Sequence, residues 1–245
     1  MSPQPRTAIV TGAGKRVGAE IARALVADGW NVVAHVRSEG NSVAEGAVKV
    51  AVDLADAGCA DRIFEAAAGL PPVRLLVNNA ARFAQDGFGA FDAGEFDAHM
   101  AVNVRAPLLL MEVFAAAHDG AGDALVVNLL DAKLSAPNPD FLSYTVSKQA
   151  LAGLTELAAR ALASKGIRVN GIAPALMLRS AGQGEENFAT MRQANPLRRA
   201  VEPSDVVAAL RYLIASPAVT GEVLTIDGGQ RFWSLERDVQ FLERR

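Results

Sequence analysis

Short apolar runs alternate along the whole chain with longer segments in which apolar residues recur every three or four positions. The short runs are Thr7–Val10, Asn31–Val36, Val48–Val52, Leu75–Asn78, Ala124–Leu129, Arg168–Gly171 and Glu222–Ile226, and most are continuously apolar. A strand with one face in water would alternate apolar and polar positions, so continuous runs predict parallel strands covered on both faces. The longer segments, Val17–Ala27, Cys59–Ala68, Glu95–His118, Ser143–Ser164 and Pro203–Ser216, predict helices. Strand and helix in repeated alternation predict βαβ crossovers, and hence an α/β fold with an open, doubly wound, seven-stranded parallel sheet and helices on both faces. No composition shift or repeat divides the chain, so residues 1–245 are expected to form one domain.

Two stretches resist regular assignment. Asn138 to Leu142 is turn-rich around Pro139 and leads into the helix at Ser143. Leu176 to Arg199 carries Gly182, Gly184 and two adjacent acids, and is expected to be either a lid over a site or a solvated connection.

Composition narrows the class. The chain is 51% hydrophobic and 21% charged, which is enough apolar content for a large core and excludes a disordered protein. A net charge of −3 offers no electrostatic footprint for nucleic acid. Cys59 is the single cysteine, and His35, His99 and His118 are scattered, so neither a disulfide nor a metal site is expected. Met1 to Arg6 has no apolar signal core, and no stretch approaches about 18 uninterrupted apolar residues, so a cytoplasmic protein without a membrane partner is expected.

The first strand-to-helix junction reads Thr-Gly-Ala-Gly-Lys-Arg-Val-Gly from Thr11 to Gly18. Gly12, Gly14 and Gly18 allow a tight turn and close approach of a pyrophosphate. The helix that follows, through Val17, aims free N–H groups and its positive dipole end at the anion. The second strand ends His35-Val36-Arg37-Ser38, without the acidic residue that would take ribose hydroxyls and select NAD. A guanidinium and a hydroxyl suit a 2′-phosphate, and Lys15 and Arg16 add positive charge, so NADPH/NADP is the expected cofactor. Further along, Tyr144 and Lys148 are spaced to share one helix face. An ammonium beside a phenol would lower the tyrosine pKa and prepare it for proton exchange with a substrate oxygen or nitrogen.

These motifs, taken in order, resemble the short-chain dehydrogenase/reductase family from Thr7 to about Phe232. The resemblance implies a single-domain Rossmann fold. It places Asp53 and Leu54 against adenine, Asn79 and Ala80 (of Asn78-Asn79-Ala80) along the cofactor cleft, and Pro174 beside the nicotinamide. Asn103 matches the family's proton-relay asparagine, Tyr144 and Lys148 its catalytic pair, and Ile226-Asp-Gly-Gly the end of its C-terminal pattern. Arg16 stands where most members have glycine, and Asp131, 13 residues before Tyr144, stands where most have serine. With His35-Val36-Arg37-Ser38 and Phe83, these departures resemble the pteridine reductase branch. They imply NADPH-dependent reduction of a C=N bond in a dihydropterin- or dihydrofolate-like substrate. Arg16, Phe83, Asp131, Tyr144 and Leu176 would meet that substrate, with Phe83 stacking on it and Asp131 coupled to Tyr144.

Two other readings remain open: a carbonyl reductase or alcohol dehydrogenase of the same family, and a non-catalytic NADP-binding sensor. The resemblance also implies a homotetramer, with a dimer as the alternative. The apolar residues of the tail 230–245 would then dock on a neighbouring subunit.

Overall fold

A computed structural model describes residues 4–180, 182–233 and 235–242. The apolar runs form seven strands: β1 (Thr7–Val10), β2 (Asn31–Val36), β3 (Val48–Ala51), β4 (Val73–Asn78), β5 (Ala124–Leu129), β6 (Ile167–Pro174) and β7 (Val223–Ile226). They pair in parallel in the order β3-β2-β1-β4-β5-β6-β7, the expected doubly wound arrangement. Every residue of β1, β5 and β6 is buried, which is why the runs of β1 and β5 are nearly continuously apolar, while in β6 Arg168 and Asn170 are buried polar residues.

The helices are α1 (Arg16–Ala27), α2 (Cys59–Glu65), α3 (Ala93–Met100), α4 (Ala106–Ala117), α5 (Leu142–Leu162), α6 (Glu185–Met191) and α7 (Pro203–Ala215). They cover both faces. Val10, Val32 and Val77 pack under Ile21, Leu25, Leu210 and Leu213 on one side. Ile9, Val33, Leu76 and Val126 pack under Ile63, Leu110 and Phe114 on the other. Neighbours Ile9 and Val10 thus serve opposite cores, as the two-residue strand period requires.

Three expectations are corrected. The helix expected over Glu95–His118 is α3 and α4 joined by a π-helical turn, Ala101–Arg105, that contains Asn103. The one expected over Cys59–Ala68 stops at Glu65. The expected loop Leu176–Arg199 contains α6, whose first turn carries Glu185 and Glu186 at the positive end of the helix dipole. The continuous run Ala93–Ala117 is long and apolar enough to cross a membrane by length and mean hydropathy of 1.5. Arg105 and Glu112 interrupt it, and it packs against α2, α5 and β4 while burying Leu110 and Phe114.

The strand order reverses between β1 and β4. In open α/β sheets the crevice beyond the carboxyl ends of such strands is where ligands bind.

Candidate active site

A cavity of about 1080 Å³ opens beyond those strand ends. It is lined by Gly12, Gly14, Lys15, Arg16, Val17, Gly18, Arg37, Ser38, Asp53, Leu54, Asn79 and Ala80 along one half. Phe83, Asp131, Tyr144, Lys148, Pro174 and Leu176 line the other. All the sequence-predicted site residues except Asn103 therefore reach one space, His35 included.

The glycine turn is shaped by contact. A Cβ on Gly18 would lie 2.2 Å from the Gly12 carbonyl oxygen, and one on Gly14 would lie 2.9 Å from Val36 Cγ1. Gly12 has φ +67°, a left-handed conformation that side chains disfavour. Asn79 clamps the turn, its Nδ2 donating to Thr11 O at 2.8 Å, while Thr11 Oγ1 accepts from the Asn79 and Ala80 amides at 3.0 Å. Helix α1 begins after Lys15 with no side-chain cap and no acidic residue in its first turn, so its free amides and dipole face the cavity without a competing anion. Lys15, Arg16 and Arg37 supply positive charge. Arg37 is well exposed and meets Asp53 at 3.4 Å. The turn thus fits a dinucleotide pyrophosphate.

His35 has a different role from the one expected. It is 3% exposed, accepts from the Gly12 amide through Nδ1 at 3.1 Å, and donates from Nε2 to Val52 O at 2.9 Å. Both ring nitrogens are occupied, and burial lowers its pKa, so it ties β2 and the segment after β3 to the glycine turn as a neutral ring. Arg16, at φ +53°, reaches across the cleft and donates to Leu178 O and Arg179 O at 3.2 and 2.9 Å. It holds the segment before α6 with two of its five guanidinium protons, leaving three for a ligand.

At the other half, α5 presents Tyr144 and Lys148, both buried. Tyr144 Oη donates to Asp131 Oδ2 at 2.8 Å, and the other carboxylate oxygen accepts from the Lys133 amide at 2.8 Å. Lys148 Nζ donates to Leu129 O at 2.6 Å, 5.7 Å from the centre of the tyrosine ring. This corrects the expected tyrosine chemistry. Burial, followed by the Asp131 charge, raises the Tyr144 pKa well above 10, and no lowering by Lys148 is present. Burial also raises the Asp131 pKa and lowers that of Lys148 to about 8. Tyr144 is consequently held as a neutral phenol, a proton donor rather than a phenolate.

Asn103 is fully buried, and its amide is occupied within the protein. Its Oδ1 accepts from the Arg82 amide at 2.7 Å, while its Nδ2 donates to Arg82 O at 3.0 Å and Ser147 Oγ at 2.9 Å. The side chain fixes the loop before Phe83 against α5, so it positions the site instead of presenting an amide to it. His99, one turn earlier, adds a bond from the Ala84 amide at 3.3 Å, and Arg82 pairs with Glu95. Phe83, 42% exposed, stacks on Phe141 at 4.4 Å and stands edge-on to Tyr144 at 4.7 Å.

Sequence reasoning missed several of these supports. Asp86, 8% exposed, accepts from the Ser143 amide at 3.0 Å and from the Ser143 hydroxyl, capping the helix that carries Tyr144. Its sequence signal was a lone acid in a loop. The tail segment 235–242 contacts its own chain: Arg237 pairs with Asp140 at 2.8 Å, and Phe241 stacks on Phe141 at 5.8 Å.

An uncapped glycine turn beside a buried tyrosine, lysine and carboxylate, on a doubly wound sheet, defines a nicotinamide-dependent oxidoreductase. Residues 12–231 match the family model described as enoyl-(acyl carrier protein) reductase. The chain belongs to the short-chain dehydrogenase/reductase family. Galactitol 2-dehydrogenase (L-tagatose-forming) of Cereibacter sphaeroides is 34% identical over 242 residues, covering 92% of this chain and 95% of its own. Pteridine reductase 1 of Leishmania tarentolae is 29% identical over 282 residues, covering 93% and 97%. The crystal structure of FolM alternative dihydrofolate reductase 1 from Brucella canis complexed with NADP superposes with a TM-score of 0.85 at 35% identity, covering 93% and 94%.

Proposed function

We propose that the protein is an NADPH-dependent reductase of a planar, pteridine-like substrate such as a dihydropterin or dihydrofolate. The observation that carries this reading is the grouping of Phe83, edge-on to Tyr144 at 4.7 Å, with the Asp131–Tyr144 hydrogen bond in the cavity that Arg16 also lines. A flat ring slid against Phe83 would gain from offset stacking, and a ring nitrogen would then lie beside a proton donor. The Leishmania and Brucella relatives support the substrate class by their named activities, and the Brucella structure supports NADP by its ligand.

Lys15, Arg16 and Arg37 would hold the phosphates, and Asn79, Ala80 and Pro174 would line the nicotinamide end. Bound NADPH supplies the hydride. Tyr144 donates the proton, Asp131 keeps the phenol oriented and shares its proton, and Lys148 holds positive charge at the base of the site.

The test is loss of NADPH absorbance with dihydrobiopterin or dihydrofolate set against simple ketones. Turnover of the pterins at least about tenfold more efficient than that of ketones, a preference of about 1.4 kcal/mol, supports the reading. Preference for ketones overturns it in favour of a carbonyl reductase or alcohol dehydrogenase, the second reading, which the galactitol 2-dehydrogenase relative favours. An oligomer, tetramer or dimer, is proposed on the exposed Leu108 of α4 and Leu157 of α5, 41% and 66% exposed, which offer apolar faces for a second copy. A cytoplasmic location is proposed on the single, buried and unpaired Cys59.

A further inference from the structure

The tail that closes the substrate end brings a carboxylate with it. Asp140, mostly buried, accepts from the Asp238 amide at 2.7 Å and from Arg237 Nε at 2.8 Å. Lys133, two residues from Asp131, donates from Nζ to Asp140 O and lies 3.3 Å from Asp238 Oδ2. Asn187 of α6 donates to Leu242 O at 2.8 Å and Val239 O at 3.4 Å. The segment is thus tied at Arg237–Asp238 and again at Val239 and Leu242. Asp238, Val239 and Gln240 line the cavity wall, along with Trp233 and Leu235 before the first tie.

Several hydrogen-bond acceptors gather on that wall. Asp131 and Asp238 offer carboxylate oxygens, and Asn138, also on the cavity, has a buried Oδ1 with no hydrogen-bond partner among the described residues. Of the cations lining it, Lys133 is engaged by Asp140 O and Asp238, and Arg231 pairs with Asp227 at 2.8 Å. Asp238 Oδ1 accepts a single bond at 3.1 Å, from the Gln240 amide two residues on, and a carboxylate oxygen can take a second donor. Such a wall suits a ligand edge rich in N–H groups.

We propose that Asp238 is a substrate-recognition residue, whose carboxylate accepts hydrogen bonds from the amino or ring N–H edge of a planar heterocycle lying between Phe83 and the tail. This rests on the pteridine-like reading above and deepens it by naming which group of the substrate is recognised and from where. Tyr144 and Asp238 line the same cavity.

The experiment uses the full-length protein with Asp238→Asn and Arg237→Ala. Asp238→Asn keeps an oxygen for the Gln240 amide while removing the carboxylate; Arg237→Ala loosens the Asp140 anchor and leaves the carboxylate in place. For each, kcat and KM are measured with dihydrobiopterin and with an aliphatic ketone lacking N–H donors. NADPH affinity is read by fluorescence, and docking of the tail by chymotrypsin cleavage at Trp233 and Phe241.

Asp238→Asn is expected to raise KM for dihydrobiopterin about tenfold with kcat within about threefold, the loss of one hydrogen bond to a charged acceptor. NADPH affinity, ketone KM and protease resistance should stay at wild-type values. An unchanged dihydrobiopterin KM overturns the proposal. So does a rise accompanied by tail cleavage and matched by Arg237→Ala on both substrates, because the effect is then undocking. A wild-type protein that reduces ketones and no pterin overturns the pteridine reading and this inference together. An active wild type with an indifferent Asp238→Asn overturns this inference alone.

Discussion

The two ends of the cavity are built by different means. The cofactor end is made of backbone: Gly12, Gly14 and Gly18 lie within one turn, and their shape follows from what a Cβ would strike. The substrate end is made of side chains from segments far apart in sequence: Phe83, Asp131, Tyr144 and the tail around Asp238. A backbone cradle recognises what all ligands of a class share, here a pyrophosphate. A wall of side chains can be altered one residue at a time, and that is where specificity can change without disturbing the cofactor.

Two substitutions break the comparison from opposite sides. Tyr144→Phe removes the hydroxyl that donates to Asp131 at 2.8 Å while leaving the ring packed against Phe83. Turnover should fall by about 100- to 10,000-fold, the range for loss of a general acid, with NADPH affinity unchanged by fluorescence titration. Substantial residual turnover would mean that another group donates the proton. Gly18→Ala acts at the other end. Its Cβ would collide with the Gly12 carbonyl oxygen at 2.2 Å, so the turn must shift, at a cost of about 1–3 kcal/mol for overpacking. Thermal stability should fall by that amount and NADPH affinity, read by fluorescence titration, should fall with it, while Tyr144 and Asp131 keep their geometry.

The same division governs how much could be read from the sequence. Strands β1, β2 and β5 were readable to the residue because their runs are almost wholly apolar, with His35 and Asn128 as the single interior polar residues of β2 and β5. The start of β4 was hidden because Arg74 interrupts the run; its half-buried side chain pairs with Asp119 at 2.7 Å. The length of β6 was hidden by Gly171, where the expected run stopped; the strand continues through residues 172–174, all of it buried. The glycine turn was readable because its meaning is local. Asp86 was not, since its role depends on Ser143, 57 residues away, and Asp238 was not, since its anchor Asp140 lies 98 residues away. The direction of the Tyr144 pKa was misjudged for a related reason. Spacing puts Lys148 on the same helix face, but it does not reveal that Asp131 reaches the hydroxyl first or that burial acts on every member of the group.

Lys148 gives a pH prediction that separates activity from stability. Burial lowers its pKa from 10.5 to about 8, with Asp131 partly opposing. If catalysis needs the ammonium, kcat/KM should fall about tenfold per pH unit above about 8, and Lys148→Arg, which stays charged, should move that limb to higher pH. Between about 8 and 10.5 the unfolded chain binds a proton at this site that the folded chain does not. The contribution of Lys148 to stability therefore rises with pH across the window in which activity falls. Thermal unfolding and initial rates measured over one pH series should diverge there, and a parallel decline would show that the alkaline limb is unfolding.

The smallest expected effect is the one that sharpens the comparison most. Phe83 touches Tyr144 edge-on and Phe141 face-on, yet is 42% exposed to the cavity side, so its removal leaves both partners in place. Phe83→Ala should raise KM for a dihydropterin by about 3- to 10-fold, the worth of about 0.5–1.5 kcal/mol of aromatic stacking, with little change in kcat. A small aliphatic ketone has no ring to stack and should be reduced as before. Phe83→Tyr should restore the pterin KM, because stacking needs a ring face and not a particular edge. If kcat falls as well, the edge contact with Tyr144 is orienting the proton donor. The aromatic would then belong to the catalytic side of the site, and the division between a general cradle and a specific wall would have to be redrawn around it.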